Sequence, residues 1–370
     1  MKLSKKIMTS AALVAATTLA ISSAHASYLE RVATLSNAAE GNELLIFTQT
    51  KSNGLVLLDS VSTGGFGTGA PLVSNQDALI VSDDGDFIYG VNTGSNSISV
   101  FKIGRKGVKL IQTIDSQGDR PISLTQTDDL LYVVNEGTDN IAGYKVKKDG
   151  KLEILENSVA SLSGSGTAPA QISFSPDGDF LIVTEKLTNL IVTYPVLEDG
   201  RPGELVATTS ALPVPFGFDF DRFGHVVVSE AAVPGGPDIG LGAGVSSYEL
   251  EADGSLSVLT GGVLNSGRAA CWVEFSKNGR VAYVTNTVSN SVSVYTTNRH
   301  GDLTLANDIA ATLDAGFPSD IALSQNSRVV YVLSNAGGFI NSFSVEDRTG
   351  LVSVSETAEL PSSANGLVTF

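Results

Sequence analysis

Every 44 to 55 residues the chain returns to one pattern: an apolar run, an SPDG-like turn, a second run closing on Asn or Glu, and a third run. A period of that length marks a small unit that cannot bury its own apolar face and must stack on copies of itself. Ile122 to Gly150 and Ile172 to Gly200 align without a gap at an offset of 50, ISLTQTDDLLYVVNEGTDNIAGYKVKKDG against ISFSPDGDFLIVTEKLTNLIVTYPVLEDG. Further copies start at Ala78, Phe218, Val273 and Ile321, which makes six complete units.

Within each unit the β-branched and apolar residues alternate, or run for four to seven positions, between Gly, Asp, Asn and Ser. This is the signature of strands and not of helices. Lys148-Asp149-Gly150, Glu198-Asp199-Gly200 and Ala252-Asp253-Gly254 read as hairpin turns between third and fourth strands, so each unit is a four-stranded antiparallel blade. Gly366 to Phe370 reads as a lone first strand, one period after Ile321, while Glu43 to Gln49 and Gly54 to Ser60 read as second and third strands. Joining the two ends gives a seventh blade and closes the ring, which removes exposed sheet edges. The expected fold is all-β, a seven-bladed β-propeller over residues 43–370, behind a lead segment 27–42.

Met1 to Lys6 carries three lysines, Ile7 to Ile21 is apolar and small, and Ala24-His25-Ala26 offers a small-x-small cleavage site. Residues 1–26 therefore read as a secretory signal peptide, too short in its apolar run for a retained anchor. Export to the periplasm or beyond the cell is expected, with no membrane insertion. Removing Lys2, Lys5 and Lys6 leaves 20 basic against 39 acidic residues, a net charge of −19, which disfavours nucleic acid and anionic lipid as partners. Cys271 is the only cysteine, so no internal disulfide can form, and it reads as a small buried hydrophobe. His225 and His300 both fall in turns and are not expected to be catalytic. A closed ring is self-contained, so a monomer is expected.

Propeller geometry sorts the connections into two faces. The SPDG-like and KKDG-like turns share one face, and the starts of first strands and ends of second strands share the other. On that second face, at the channel mouth, the chain places Asn92, Asn135, Glu136, Glu185, Lys186, Glu230, Asn286 and Asn335 from second strands. Arg120, Gln171, Phe216, Arg268 and Trp272 lie at the starts of first strands. Asn at a strand end is also a good turn residue, bonding its own backbone. Glu185 and Glu230 stand out, because they replace Asn in two consecutive blades after the apolar runs LIVT and VVVS. A carboxylate there would be partly desolvated unless a cation or a donor answers it. Arg268 and Arg120 are candidate answering charges, and each could equally pair with an acid on the rim. Trp272 reads either as packing between blades or as a stacking platform.

APAQISFSPDGDFLIVTEKLTN, PFGFDFDRFG and GRAACW resemble the seven-bladed lactonase family of 6-phosphogluconolactonases and carboxymuconate-lactonizing enzymes, over Gly41 to Phe370. Tyr283-Val284-Thr285-Asn286 is also similar to YVTN-type propellers. The resemblance implies opening or closure of a lactone ring at the channel mouth, on a small sugar-derived substrate and without a required cofactor. It implies Glu185 or Glu230 as the base activating water, with Arg268 and Asn286 or Asn135 on the oxyanion. Arg120, Gln171, Phe216 and Trp272 would complete the binding site. Where the family carries a His, this chain reads Thr167-Ala168-Pro169-Ala170-Gln171. Two other readings stay open: a ring of Glu and Asn oxygens holding Ca²⁺, and a non-enzymatic exported propeller that binds a small ligand, a glycan or an envelope protein.

Overall fold

The computed structural model describes residues 30–50, 54–71, 74–231, 243–314, 316–357 and 360–370. The signal-peptide reading lies outside them. Seven antiparallel sheets stand around a central channel. Blade 1 runs Leu79–Val81, Phe87–Asn92, Ser97–Gly104 and Gly107–Asp115, in chain order from the channel outward. Blades 2 to 6 repeat this order with inner strands Pro121–Thr127, Pro169–Phe174, Pro215–Phe220, Ala270–Phe275 and Pro318–Leu323. Each inner strand packs beside the next, and Asn365–Thr369 packs between the inner strands of blades 6 and 1. The ring is closed. No described helix is long and apolar enough to cross a membrane.

The closing blade differs from the sequence reading by one strand. Its order is Asn365–Thr369, Arg31–Leu35, Glu43–Gln49, Leu55–Ser62, so Glu43–Gln49 is the third strand and the second lies inside the expected lead segment. Arg31–Leu35 is short and lacks the SPDG-like turn that marks second strands elsewhere, because the chain break falls where that turn would be. Its Val32, Ala33 and Leu35 are buried all the same.

The turn glycines do more than reverse the chain. Tyr89 Oη donates to the Gly150 carbonyl at 3.2 Å, and Tyr132 Oη to that of Gly200 at 2.7 Å, each reaching from one blade to the next. Gly150 and Gly200 sit at φ +81° and +84°, where a side chain is strained, and a Cβ on Gly150 would meet the Phe87 ring at 2.2 Å. Repetition of the D-G turn therefore follows from stacking as well as from the hairpin.

The entry to each inner strand repeats as well. Asp77, Arg120, Ala168, Val214, Ala269 and Phe317 all have φ between 49° and 62°. In blades 2 to 6 a register shift follows within the first residues of the inner strand. Such bulges re-aim side chains, here toward the channel.

Candidate active site in the central channel

At the mouth, the strand-ending Asn and Glu residues brace their own blades. Asn92 Nδ2 donates to Ser97 Oγ and Ser99 Oγ, and Asn286 Nδ2 to Ser291 Oγ and Ser293 Oγ, the same S-x-S partner in two copies. Asn135 Nδ2 donates to the Ser116 carbonyl at 3.0 Å. Glu185 accepts from Ser163 N at 3.0 Å, from Ser163 Oγ and from Thr188 Oγ1. Glu230 accepts from Ser210 Oγ, Leu212 N, Ser246 Oγ and Tyr248 Oη, at 2.7 to 3.1 Å. The exchange of Asn for Glu has a local cause. In blade 2 the incoming loop presents a carbonyl and needs a donor, whereas in blades 3 and 4 it presents N–H and hydroxyl groups and needs an acceptor. Both carboxylates are 0% exposed, and burial raises the Glu230 carboxyl above its ordinary range while its donors pull it back.

The remaining mouth residues are not gathered around an open funnel. The segment 74–77 crosses the channel there. Trp272 Nε1 donates to the Asn75 carbonyl at 2.7 Å, Asn75 Nδ2 to the Ile122 carbonyl, and the Gln76 amide bonds both backbone groups of Val273. Lys186 Nζ donates to the carbonyls of Ser74 and Pro169 and lies 5.3 Å from the Phe216 ring centroid. Desolvation in this setting lowers the Lys186 ammonium to about 8. Phe216 and Trp272 meet edge-on at 5.0 Å, both buried, as packing beneath the crossing segment. Arg120 pairs with Glu136 at 3.0 Å on the rim. Arg268 is exposed and, among the described residues, makes no ion pair. Thus the expected acid and arginine do not meet.

Below the crossing segment the channel widens into a cavity of about 570 Å³ that reaches the face of the SPDG-like turns. Its wall includes Asp77, Ile80, Glu274, Lys277, Ile321 and Leu323. A neighbouring recess of about 730 Å³, lined by Asp219, Asp221 and Arg222, shares Glu274 and Lys277 with it. Strand alternation puts these carboxylates together: Asp219 and Glu274 occupy the same place in successive inner strands, and the bulges turn Gln171 and Asp320 inward.

Most of these groups are committed to the ring. Gln171 accepts from Phe218 N at 2.6 Å and donates to Asp77 Oδ2 at 2.6 Å. Asp219 accepts from Phe275 N at 2.7 Å, and from Phe220 N. Asp320 accepts from Ile321 N and the Leu367 backbone. Ser123 does the same for Ile172 N, so inner-strand side chains hand one hydrogen bond from blade to blade. Glu274 differs: among the described residues its carboxylate has no hydrogen-bond partner, and it lies on the wall of both cavities.

Desolvation dominates the electrostatics of this group. It raises Asp77 to about 7, helped by the charge of Asp219 and opposed by the Gln171 bond. It raises Asp219 to about 6, against bonds from Phe275 and Phe220 and the charge of Lys277. Glu274 stands well above the usual carboxylate range, through burial and then the charge of Asp219, with Lys277 opposing. Asp320 is likewise pushed well up by burial and Asp77. Neighbouring acids of like charge raise one another and titrate as a set. Among the described residues no group of three or more His, Cys, Asp or Glu is arranged to hold a metal ion.

His225 lies on the same face, with Asp221 Oδ2 on Nδ1 at 2.8 Å and Glu249 on Nε2 at 3.3 Å. Spacing within its turn hid this clamp from the sequence reading. Glu274 and Asp219 were hidden for another reason: an acid inside an apolar run can face solvent or a channel, and only the blade's orientation separates the two.

Seven blades close a ring around a channel that carries ionisable groups beside a cavity of small-molecule size. The chain belongs to the family described as lactonase, 7-bladed beta-propeller, whose model matches residues 48–165 and 237–362. A 6-phosphogluconolactonase of Pectobacterium carotovorum is 27% identical over 270 residues, covering 70% of this chain and 77% of the relative. A 6-phosphogluconolactonase of Yersinia enterocolitica is 24% identical over 269 residues, with the same coverage of 70% and 77%. Among solved structures, a putative 6-phosphogluconolactonase from Bacteroides fragilis superposes with TM-score 0.71 at 19% identity, covering 92% of this chain and 98% of that one. The periplasmic gluconolactonase PpgL of Pseudomonas aeruginosa gives TM-score 0.71 at 16% identity, with the same coverage of 92% and 98%. At these identities the structural likeness concerns the fold.

Proposed function

We propose that this protein is an exported lactone hydrolase that works in the channel cavity on the SPDG-turn face. The observation that carries the reading is Glu274, a desolvated carboxylate without a hydrogen-bond partner among the described residues, on the wall of a cavity of substrate size. Family membership supports the reaction class. Ionised Glu274 takes a proton from water as the water oxygen attacks the lactone carbonyl. Lys277 lies on the same wall and stabilises the developing oxyanion. A protonated neighbour, Asp77, gives its proton to the ring oxygen as the acyl C–O bond breaks, leaving an open hydroxy acid. Two carboxyl groups held in different protonation states are a general way to supply acid and base together.

This mechanism needs one carboxylate ionised and one protonated, so kcat/KM for glucono-1,5-lactone is expected to follow a bell. It falls on the acid side as Glu274 is protonated, at a pH raised by burial above the ordinary carboxylate range, and on the alkaline side as Asp77 loses its proton, the limbs belonging to the set. Proton release in a pH-stat measures it, and a flat profile or no turnover across a panel of lactones would sink the reading. Export rests on Met1 to Ala26. N-terminal sequencing of protein recovered outside the cytoplasm should start at Ser27, and a start at Met1 would overturn it.

A further inference from the structure

We infer that the cavity selects uncharged, unphosphorylated lactones against lactones bearing a phosphate, with Asp83 at its rim as a specificity-determining charge. The inference rests on the reading of this cavity as the lactone site and adds the substrate class. The wall and rim carry Asp77, Asp83, Asp84 and Glu274 against one cation, Lys277. That lysine already answers Glu274 and Asp219. A phosphate near neutral pH brings a charge of about −1.5 to −2, and sites that take one answer it with arginine forks, helix N-termini or nests of backbone N–H groups.

None of these is present here among the described residues. No arginine lines the cavity, and every regular element of the fold is a strand. These N–H groups of the nearest turn are taken up within the turn itself: Gly85 N donates to the Ser82 carbonyl and Asp86 N to Asp84 Oδ1. A bound phosphate would instead meet the rim charges of Asp83 and Asp84, beside Asp77 and Glu274, which burial first and then neighbouring acids hold above the usual carboxylate range. The same wall suits a polyol. Carboxylates accept hydroxyl hydrogens, and Ile80, Ile321 and Leu323 offer an apolar side for the ring.

Asp84 is engaged in the turn, accepting from Ser82 Oγ at 2.6 Å. Asp83 is exposed, and its side chain accepts a backbone hydrogen bond from Asp128. It can therefore be changed with little effect on the ring. The test compares kcat/KM for glucono-1,5-lactone and its 6-phosphate, with the full mature chain, at low and at high ionic strength. The neutral lactone should be preferred by on the order of tenfold or more at low salt, and added salt should narrow the ratio. Asp83→Lys should raise the ratio of kcat/KM for the phosphorylated lactone over the neutral one by on the order of threefold to tenfold. Asp83→Asn should give a smaller shift in the same direction. Equal or better turnover of the phosphorylated lactone would overturn the inference and leave lactone hydrolysis standing, as would a variant that moves both substrates equally. Turnover of neither lactone would overturn both.

Discussion

Glu274→Gln should lower kcat for lactone opening by about 10²- to 10⁴-fold, the usual worth of a positioned general base, with substrate binding largely kept. The amide is isosteric and cannot take a proton from water, so the loss tests the proton transfer and not the shape of the cavity. Stability supplies an independent readout with a worked sign. The folded pKa of Glu274 lies well above its ordinary value. Its favourable contribution is therefore complete below about pH 4.5 and is lost as pH rises through the raised folded value. Gln has nothing to lose over that range. Thermal melts of variant and parent should coincide near pH 4, and the variant should melt higher at pH 8. Unchanged kcat in Glu274→Gln would remove Glu274 from the chemistry, whatever the melts show.

Glu230→Ala should instead cost stability. The substitution leaves Ser210, Ser246, Tyr248 and the Leu212 N–H without their common acceptor at a site with 0% exposure. Removing one side of a buried charged network costs about 3–5 kcal/mol, or about 4–7 °C in melting temperature for a chain of this size. The fraction that remains folded should turn over lactone at the parent rate. The opposite pattern, an intact melt with turnover abolished, would return the base to the mouth and overturn the role given to Glu274. The pair of variants thus separates the two ends of the channel.

The contrast between these acids shows how far local sequence reaches. Glu185 and Glu230 drew attention because they break the repeat, and they break it to answer donors on Ser163, Ser210 and Leu212. A departure from a repeat signals a changed partner, and the partner can as easily be the chain's own loop as a substrate. Asn92 and Asn286, which keep the repeat, keep the same serine partners two copies apart. Phe216 and Trp272 likewise pair, but beneath the segment 74–77 and not at an open surface. Nothing near Ser74 to Asp77 marks it as a channel-crossing segment, because its bonds run to Ile122, Ala170 and Val273, in three other blades.

By itself the sequence determined the blade, the number of blades, the closure by both chain ends and the turn chemistry, since all of these follow from short-range alternation and a period that recurs six times. Only the tertiary structure decided that Arg31–Leu35 is the second strand of the closing blade, that the mouth is crossed by 74–77, and that Asp77, Asp219, Glu274 and Asp320 come near enough to act on one another, with Asp77 and Glu274 on one cavity wall. The physical reason is range. Strand identity is set by residues two apart, whereas the protonation and pairing of a channel acid depend on inner strands from blades some 50 to 240 residues away, brought together when the ring closes.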